Sequence, residues 1–172
     1  SDVLTLTEIQ TLYNSGTPVT SPSTSGLVSR YDFTANTNDS QGSNNGTASG
    51  IKLGTGAYSF DGTNDKVATG DKFGFLTQTG SIAFWMKPTT FNDNDVLFDS
   101  CNASSGSNGV LCKVASASNL ITFLIARGGS SSNLNYTFGS DPSGKWTHLA
   151  FTYDGTTAKI YENGLEVASG SV

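Results

Sequence analysis

The sequence predicts an all-β chain, an antiparallel β-sandwich of jelly-roll type preceded by a short helix and a linker. Three observations carry this. Glycine is abundant at 20 residues, Ser and Thr supply roughly a quarter of the chain, and hydrophobic residues make up only 35%; this balance favours many short strands joined by polar turns. In residues 145–164, Leu149, Phe151 and Tyr153 alternate with Trp146, His148 and Ala150, so a strand there presents two distinct faces. Asp154-Gly155 and Asn163-Gly164 close that strand and the next, because these residues tolerate the positive φ of a tight hairpin. Finally, residues 119–126 (NLITFLIA) are almost continuously apolar, the pattern of a strand in the middle of a sandwich.

The elements follow in order. Thr5-Leu6-Thr7-Glu8 is a capping box, and Leu6, Ile9, Leu12 and Tyr13 recur at helical spacing up to Gly16, a natural stop. Residues 17–26 hold two prolines and little apolar content, which predicts a linker running extended over the surface. Strands are expected at 27–33, 57–60, 65–69, 80–87, 95–100, 109–115, 119–126, 134–138, 145–153, 157–162 and 165–169. In the fourth of these, Ile82, Phe84 and Met86 share one face.

With 9 basic and 14 acidic residues the net charge is -5, and no basic run exists to displace counterions from phosphates, which disfavours nucleic acid. No apolar stretch approaches the roughly 20 residues that span a bilayer, so membrane insertion is not expected. The chain opens Ser1-Asp2-Val3, which reads as processed or excerpted. Cys101 and Cys112 flank a polar segment between the apolar runs 96–98 and 110–111. Antiparallel strands leaving such a turn bring their ends within disulfide reach, and a bridge is expected; the alternative is two unpaired thiols in a reducing compartment. The N-x-S/T sequons at Asn38, Asn45, Asn102 and Asn135 are about as many as chance supplies in so Asn-, Ser- and Thr-rich a chain.

The string W-T-H-L-A-F-T-Y-D-G-T...A-K-I-Y-E-N-G-L-E-V-A-S-G, residues 146–170, resembles the signature of laminin-G-like domains of the concanavalin A-like lectin and glucanase superfamily. Three further stretches resemble that family in the same order: residues 26–33 as an opening strand, Asp39 to Thr47 as a D-S-x-G-x-x-N-G-T loop, and residues 57–67 as an S-F-D-G-x-x-D-x-V hairpin. Domains of this kind continue past N-G-L-E-V-A-S-G through further strands into a helix of the form L-T-x-x-E-I-x-x-L-Y-N-S-G. Here that helix pattern stands at residues 4–16 instead. The resemblance thus implies three regions: 1–16 as the tail of a preceding unit, 17–26 as linker, and 27–172 as a sandwich lacking its last strands. Neighbouring copies or chains would then complete the sandwich and cover its unpaired edges.

Enzymes with this fold hydrolyse β-glucans with paired carboxylates about 5 to 5.5 Å apart. The chain has only three Glu, at 8, 162 and 166, in no E-x-D-x-x-E string, so no catalytic residue is assigned and the chain is not expected to be an enzyme. The lone His148 matches a structural position of the family and has no nucleophile or orienting acid in view. Calcium is the one cofactor the loops would serve, since it takes oxygens from carboxylates, Asn side chains and carbonyls. Among the loop oxygen donors, Asn108, Asn102, Asp95 and Asp39 are the metal candidates, Asn108 because similar folds place a metal near that position. For sugar recognition, which needs an aromatic platform with polar groups, Phe91, Asn92, Asp93 and Tyr136 are the ligand candidates; Trp85 and Trp146 read as core.

The reading is a non-catalytic extracellular recognition or adhesion module, at a cell or virion surface, that binds glycans or surface proteins through rim loops. The alternative is a structural repeat, or a decoration or fibre protein of a surface filament or virus particle.

Overall fold

The computed structural model describes residues 3–54, 56–70, 79–101, 108–115 and 119–172. Among them the elements run α1 (Leu6–Tyr13), β1 (Thr47–Ser49), β2 (Lys52–Leu53), β3 (Tyr58–Ser59), β4 (Lys66–Ala68), β5 (Gly80–Met86), β6 (Val96–Asp99), β7 (Gly109–Val114), β8 (Leu120–Arg127), β9 (Ser130–Thr137), β10 (Thr147–Tyr153), β11 (Thr157–Glu162) and β12 (Leu165–Ser171). The chain divides into two compact units, one of residues 1–22 with 75–172 and one of residues 23–74.

The larger unit is the sandwich. One antiparallel sheet has the order β12-β11-β10-β5 and the other β6-β7-β8-β9. The period-two pattern sets the core: Leu149, Phe151 and Tyr153 of β10 and Ala158 and Ile160 of β11 meet Val110, Cys112, Ile121, Phe123 and Ile125 of the facing sheet. Aromatic rings knit the layers, with the Phe151 centroid 5.1 Å from Phe123 and 5.4 Å from Phe98.

β10 is buried on both faces, as its alternation requires. Its second face, with His148 and Ala150, is covered by α1. Ile9, fully buried, sits with Ala150 and Tyr161, and Leu4 and Ala83 close the cluster. The helix starts where the capping box placed it: the Thr5 hydroxyl accepts from the Glu8 N–H, and the Glu8 carboxylate accepts from the Thr5 N–H at 2.8 Å. It stops earlier than expected, at Asn14, whose φ of 43° is left-handed, and one 3₁₀ turn then carries the chain to Gly16.

The smaller unit holds two short antiparallel pairs, β1 with β4 and β2 with β3. The strand expected at 27–33 does not form. There the backbone partners are side chains and a turn: the Arg30 N–H donates to Asp39 Oδ1 at 2.9 Å, the Arg30 carbonyl accepts from the Ser40 N–H at 2.8 Å, and Phe33 leaves the extended region with φ 54°.

Candidate functional site

In the smaller unit, the irregular loop of residues 32–40 lines a pocket of about 270 Å³. Thr37 and Asp39 turn inward and are buried, while Asp32, Thr34, Asn36, Asn38 and Ser40 turn outward and, with Ala35, line the pocket. The inward residues hold the loop. Asp39 Oδ1 accepts from the N–H groups of Arg30 (2.9 Å), Gln41 (3.0 Å) and Gly42 (3.0 Å), and Oδ2 accepts from that of Asn44 (3.1 Å). Burial by itself would raise the Asp39 pKa, but the N–H groups of Arg30, Gly42 and Gln41 outweigh it and hold the carboxyl well below its ordinary value. The Thr37 hydroxyl donates to the Gly46 carbonyl at 2.7 Å, and the Gly46 N–H donates back to the Thr37 carbonyl at 2.8 Å. The outward residues offer both polarities: an Asp32 carboxylate paired with Arg30 at 2.5 Å, two carboxamides and the Thr34 hydroxyl, while the Ser40 hydroxyl donates to the Arg30 carbonyl at 3.1 Å. Asn36 Oδ1 accepts from the Asn38 N–H at 2.9 Å, which fixes the spacing of the two carboxamides.

The ligand candidates of the larger unit are placed differently. Phe91 is half-buried against the core, its ring edge-on to Phe138 at 5.5 Å, so it is not an open platform. Tyr136 meets the same Phe138 ring at 5.0 Å, and its hydroxyl donates to the Glu162 carboxylate in a short hydrogen bond. Burial first, then that carboxylate, pushes the Tyr136 pKa up, so the phenol stays a neutral donor. Asn92 is exposed, but its N–H donates to Asp95 Oδ2 at 2.9 Å and its side chain to the Thr90 hydroxyl at 2.9 Å; Asp93 is exposed beside it. The structure thus brings Phe91 and Tyr136 together through Phe138 and leaves Asn92 and Asp93 on the rim. Trp146, read as core, is 52% exposed, while Trp85 stacks on Tyr13 at 5.8 Å.

Within the larger unit, the metal candidates Asn108 and Asp95 are not brought together. Asn108 directly precedes β7 and accepts from the Gly128 N–H at 3.0 Å, whereas the Asp95 carbonyl accepts from Val114 at the far end of that strand. Six residues at about 3.4 Å each separate those two ends by about 20 Å. Asp39 belongs to the other unit and is occupied by backbone N–H groups, and Asn102 lies outside the described residues. Among the described residues, no group of three or more His, Cys, Asp or Glu stands close enough to hold a metal.

The expected disulfide between Cys101 and Cys112 is not formed; both are free thiols. Register is the reason. Cys112 pairs with Phe98 and points into the core, and Asp99 pairs with Leu111, so Cys101 comes opposite Gly109, whose added Cβ would lie 2.6 Å from the Cys101 Cα. Three strand positions separate the two thiols by about 10 Å and put them on opposite faces, beyond what a bridge spans. Burial raises the Cys112 pKa far above that of an ordinary thiol, and burial followed by the Asp99 carboxylate raises that of Cys101.

The pocket had no periodic signature in the sequence, because residues 36–40 are polar without a break and only the fold turns Thr37 and Asp39 inward. Each Glu has another partner: Thr5 for Glu8, Tyr136 for Glu162 and Lys159 for Glu166. Among the described residues, no helix is long and apolar enough to cross a membrane.

A search of curated proteins finds no match to this chain. Among solved structures, domains LG4-5 of the mouse laminin alpha1 chain are similar at 15% sequence identity with a TM-score of 0.45, over 54% of this chain and 24% of theirs. The chain therefore spans about a quarter of the length of that structure. The laminin G-like model of the concanavalin A-like lectin/glucanases superfamily matches residues 61–172. With most of its length so matched, the chain belongs to that laminin G-like family, whose lectin-like fold supports a general binding module.

Proposed function

We propose that this chain is a non-catalytic extracellular recognition module that takes a glycan in the polar pocket of residues 32–40. One observation carries the reading: the Asp32 carboxylate, two carboxamides and the Thr34 hydroxyl line an open pocket of about 270 Å³ while buried Thr37 and Asp39 lock the loop behind them. Neighbouring sugar hydroxyls each donate and accept, and a carboxylate beside carboxamides answers both roles. The three Glu, each bound to another group, fit a binder better than a glycosidase, which needs two facing carboxyls.

A glycan array probed with the full chain, with millimolar calcium and again with a chelator, tests this. The expected result is saturable binding that Asp32→Ala or Asn36→Ala weakens at least about tenfold, one or two lost hydrogen bonds, while Asn92→Ala on the rim leaves it unchanged. Absence of saturable binding, or binding indifferent to both pocket variants, would refute the assignment. Release of reducing sugar would replace it with an enzymatic one.

A further inference from the structure

The single histidine of the chain lies under the N-terminal helix with no partner for one of its nitrogens. His148 is 2% exposed, and among the described residues nothing hydrogen-bonds its Nδ1. The ring centroid is 5.3 Å from that of Trp85, its cross-strand neighbour on β5, and 6.2 Å from that of Tyr13 on α1. Its backbone is held from the third side, the N–H donating to Asn163 Oδ1 at 3.0 Å and the carbonyl accepting from the Asn163 N–H at 2.9 Å.

Among the described residues, the carboxylates of the surrounding elements are all committed elsewhere. On α1, Glu8 is bound to Thr5 and Tyr13 offers a ring. β5 carries no charge, and Lys87 follows its end. On β11 and β12, Lys159 pairs with Glu166 at 2.9 Å, the Tyr161 hydroxyl points to Glu166, and Glu162 accepts from Tyr136. Among the described residues, no carboxylate is therefore positioned to neutralise an imidazolium at this point. Burial alone holds the His148 pKa down, at about 4.

Of the elements around the ring, β5 and β10 are laced to each other from Thr147–Met86 through Tyr153–Gly80, and β11 is paired on both edges. The helix is the weakest wall. Ile9 is its one fully buried side chain, its outer residues face solvent, and it leads into a linker largely exposed from Asn14 to Gly26. A proton on Nδ1 creates a buried donor and a buried charge at once, each costly without a partner. Lifting α1 admits water to the ring and leaves the strand ladders intact.

We propose that His148 is an acid-sensitive catch for the N-terminal helix: its protonation releases α1 from the outer face of the β12-β11-β10-β5 sheet and bares the strip Ala83, Trp85, Ala150 and Tyr161. Hydrogen exchange of the full chain at pH 7 and pH 5, corrected for intrinsic rates, tests it. Protection of the α1 amides falls about twentyfold, the linkage expected when burial depresses an imidazole by this much, while the β8 and β10 amides keep theirs. His148→Phe, an apolar ring with no proton to gain, abolishes the fall. Ile9→Ala, which loosens the helix and keeps the histidine, moves the release to higher pH, and it decides the matter even where the Phe variant folds poorly. Unchanged α1 protection in the wild type overturns the proposal. So does loss shared with β10, or an Ile9→Ala release at the wild-type pH.

Discussion

Replacing Asp39 by alanine removes four hydrogen-bond acceptances from one side chain, those of the Arg30, Gln41, Gly42 and Asn44 N–H groups. Bonds to a charged acceptor contribute about 1.5 to 3 kcal/mol each. Gln41 and Gly42 are exposed, so water replaces the carboxylate there, and a net loss of about 3 kcal/mol follows from the two bonds that water cannot easily restore. Asp39→Asn keeps Oδ1 for three of the four but turns an amide donor toward the Asn44 N–H, and an intermediate cost of about 1.5 kcal/mol is expected. The assay is hydrogen exchange at those four amides together with denaturant unfolding. In the alanine variant their protection should fall about a hundredfold, the equivalent of that energy. The pH sense is set by the depressed carboxyl. Its stabilisation is complete above the unfolded value of 3.8 and is lost only as pH falls through the still lower folded value, so the four amides should stay protected through mild acid. Exchange unchanged in Asp39→Ala would refute the reasoning. So would wild-type stabilisation by calcium that vanishes in Asp39→Asn, because Asp39 would then be a metal ligand and not an anchor for N–H groups.

Other perturbations read the rest of the fold. Phe151→Ala, which empties a site ringed by Phe84, Phe98 and Phe123, should destabilise the sandwich by about 3 to 5 kcal/mol in urea unfolding. A thiol reagent should modify Cys101 in the native protein and Cys112 only after unfolding, and reducing agent should leave the unfolding midpoint unchanged; a native chain with no reactive thiol would contradict the register described. Gly50→Ala places a Cβ 2.0 Å from Asp65 Oδ1 at a φ of 77°, so thermal unfolding of the smaller unit should show a loss of more than about 1 kcal/mol.

Much of the architecture was legible because it depends on neighbours in sequence. A period of two runs through Leu149, Phe151 and Tyr153, and the structure buries all three. The hairpin at Asn163-Gly164 and the capping box at Thr5 and Glu8 likewise need only a few consecutive residues. The stretch 27–33 misled for the opposite reason: it looks extended, but a carboxylate nine residues further on takes its N–H group. The cysteines misled because spacing along the chain says nothing of register, and one shifted pair sends a thiol to the other face. Phe91 looked like an open loop ring until Phe138, distant in sequence, closed on it.

The sequence by itself therefore determined the strands of the sandwich from β5 onward and the helix with its start, since these are set by local periodicity and local hydrogen bonds, while the short strands β1 and β2 were not legible in it. Only the tertiary structure decided that α1 lies over His148, that the thiols stay apart, and that Asn108 and Asp95 fall at opposite ends of β7. Each of those depends on which strands pair and in what register, and that is chosen by burial of apolar faces across the whole unit, not by any residue's neighbours.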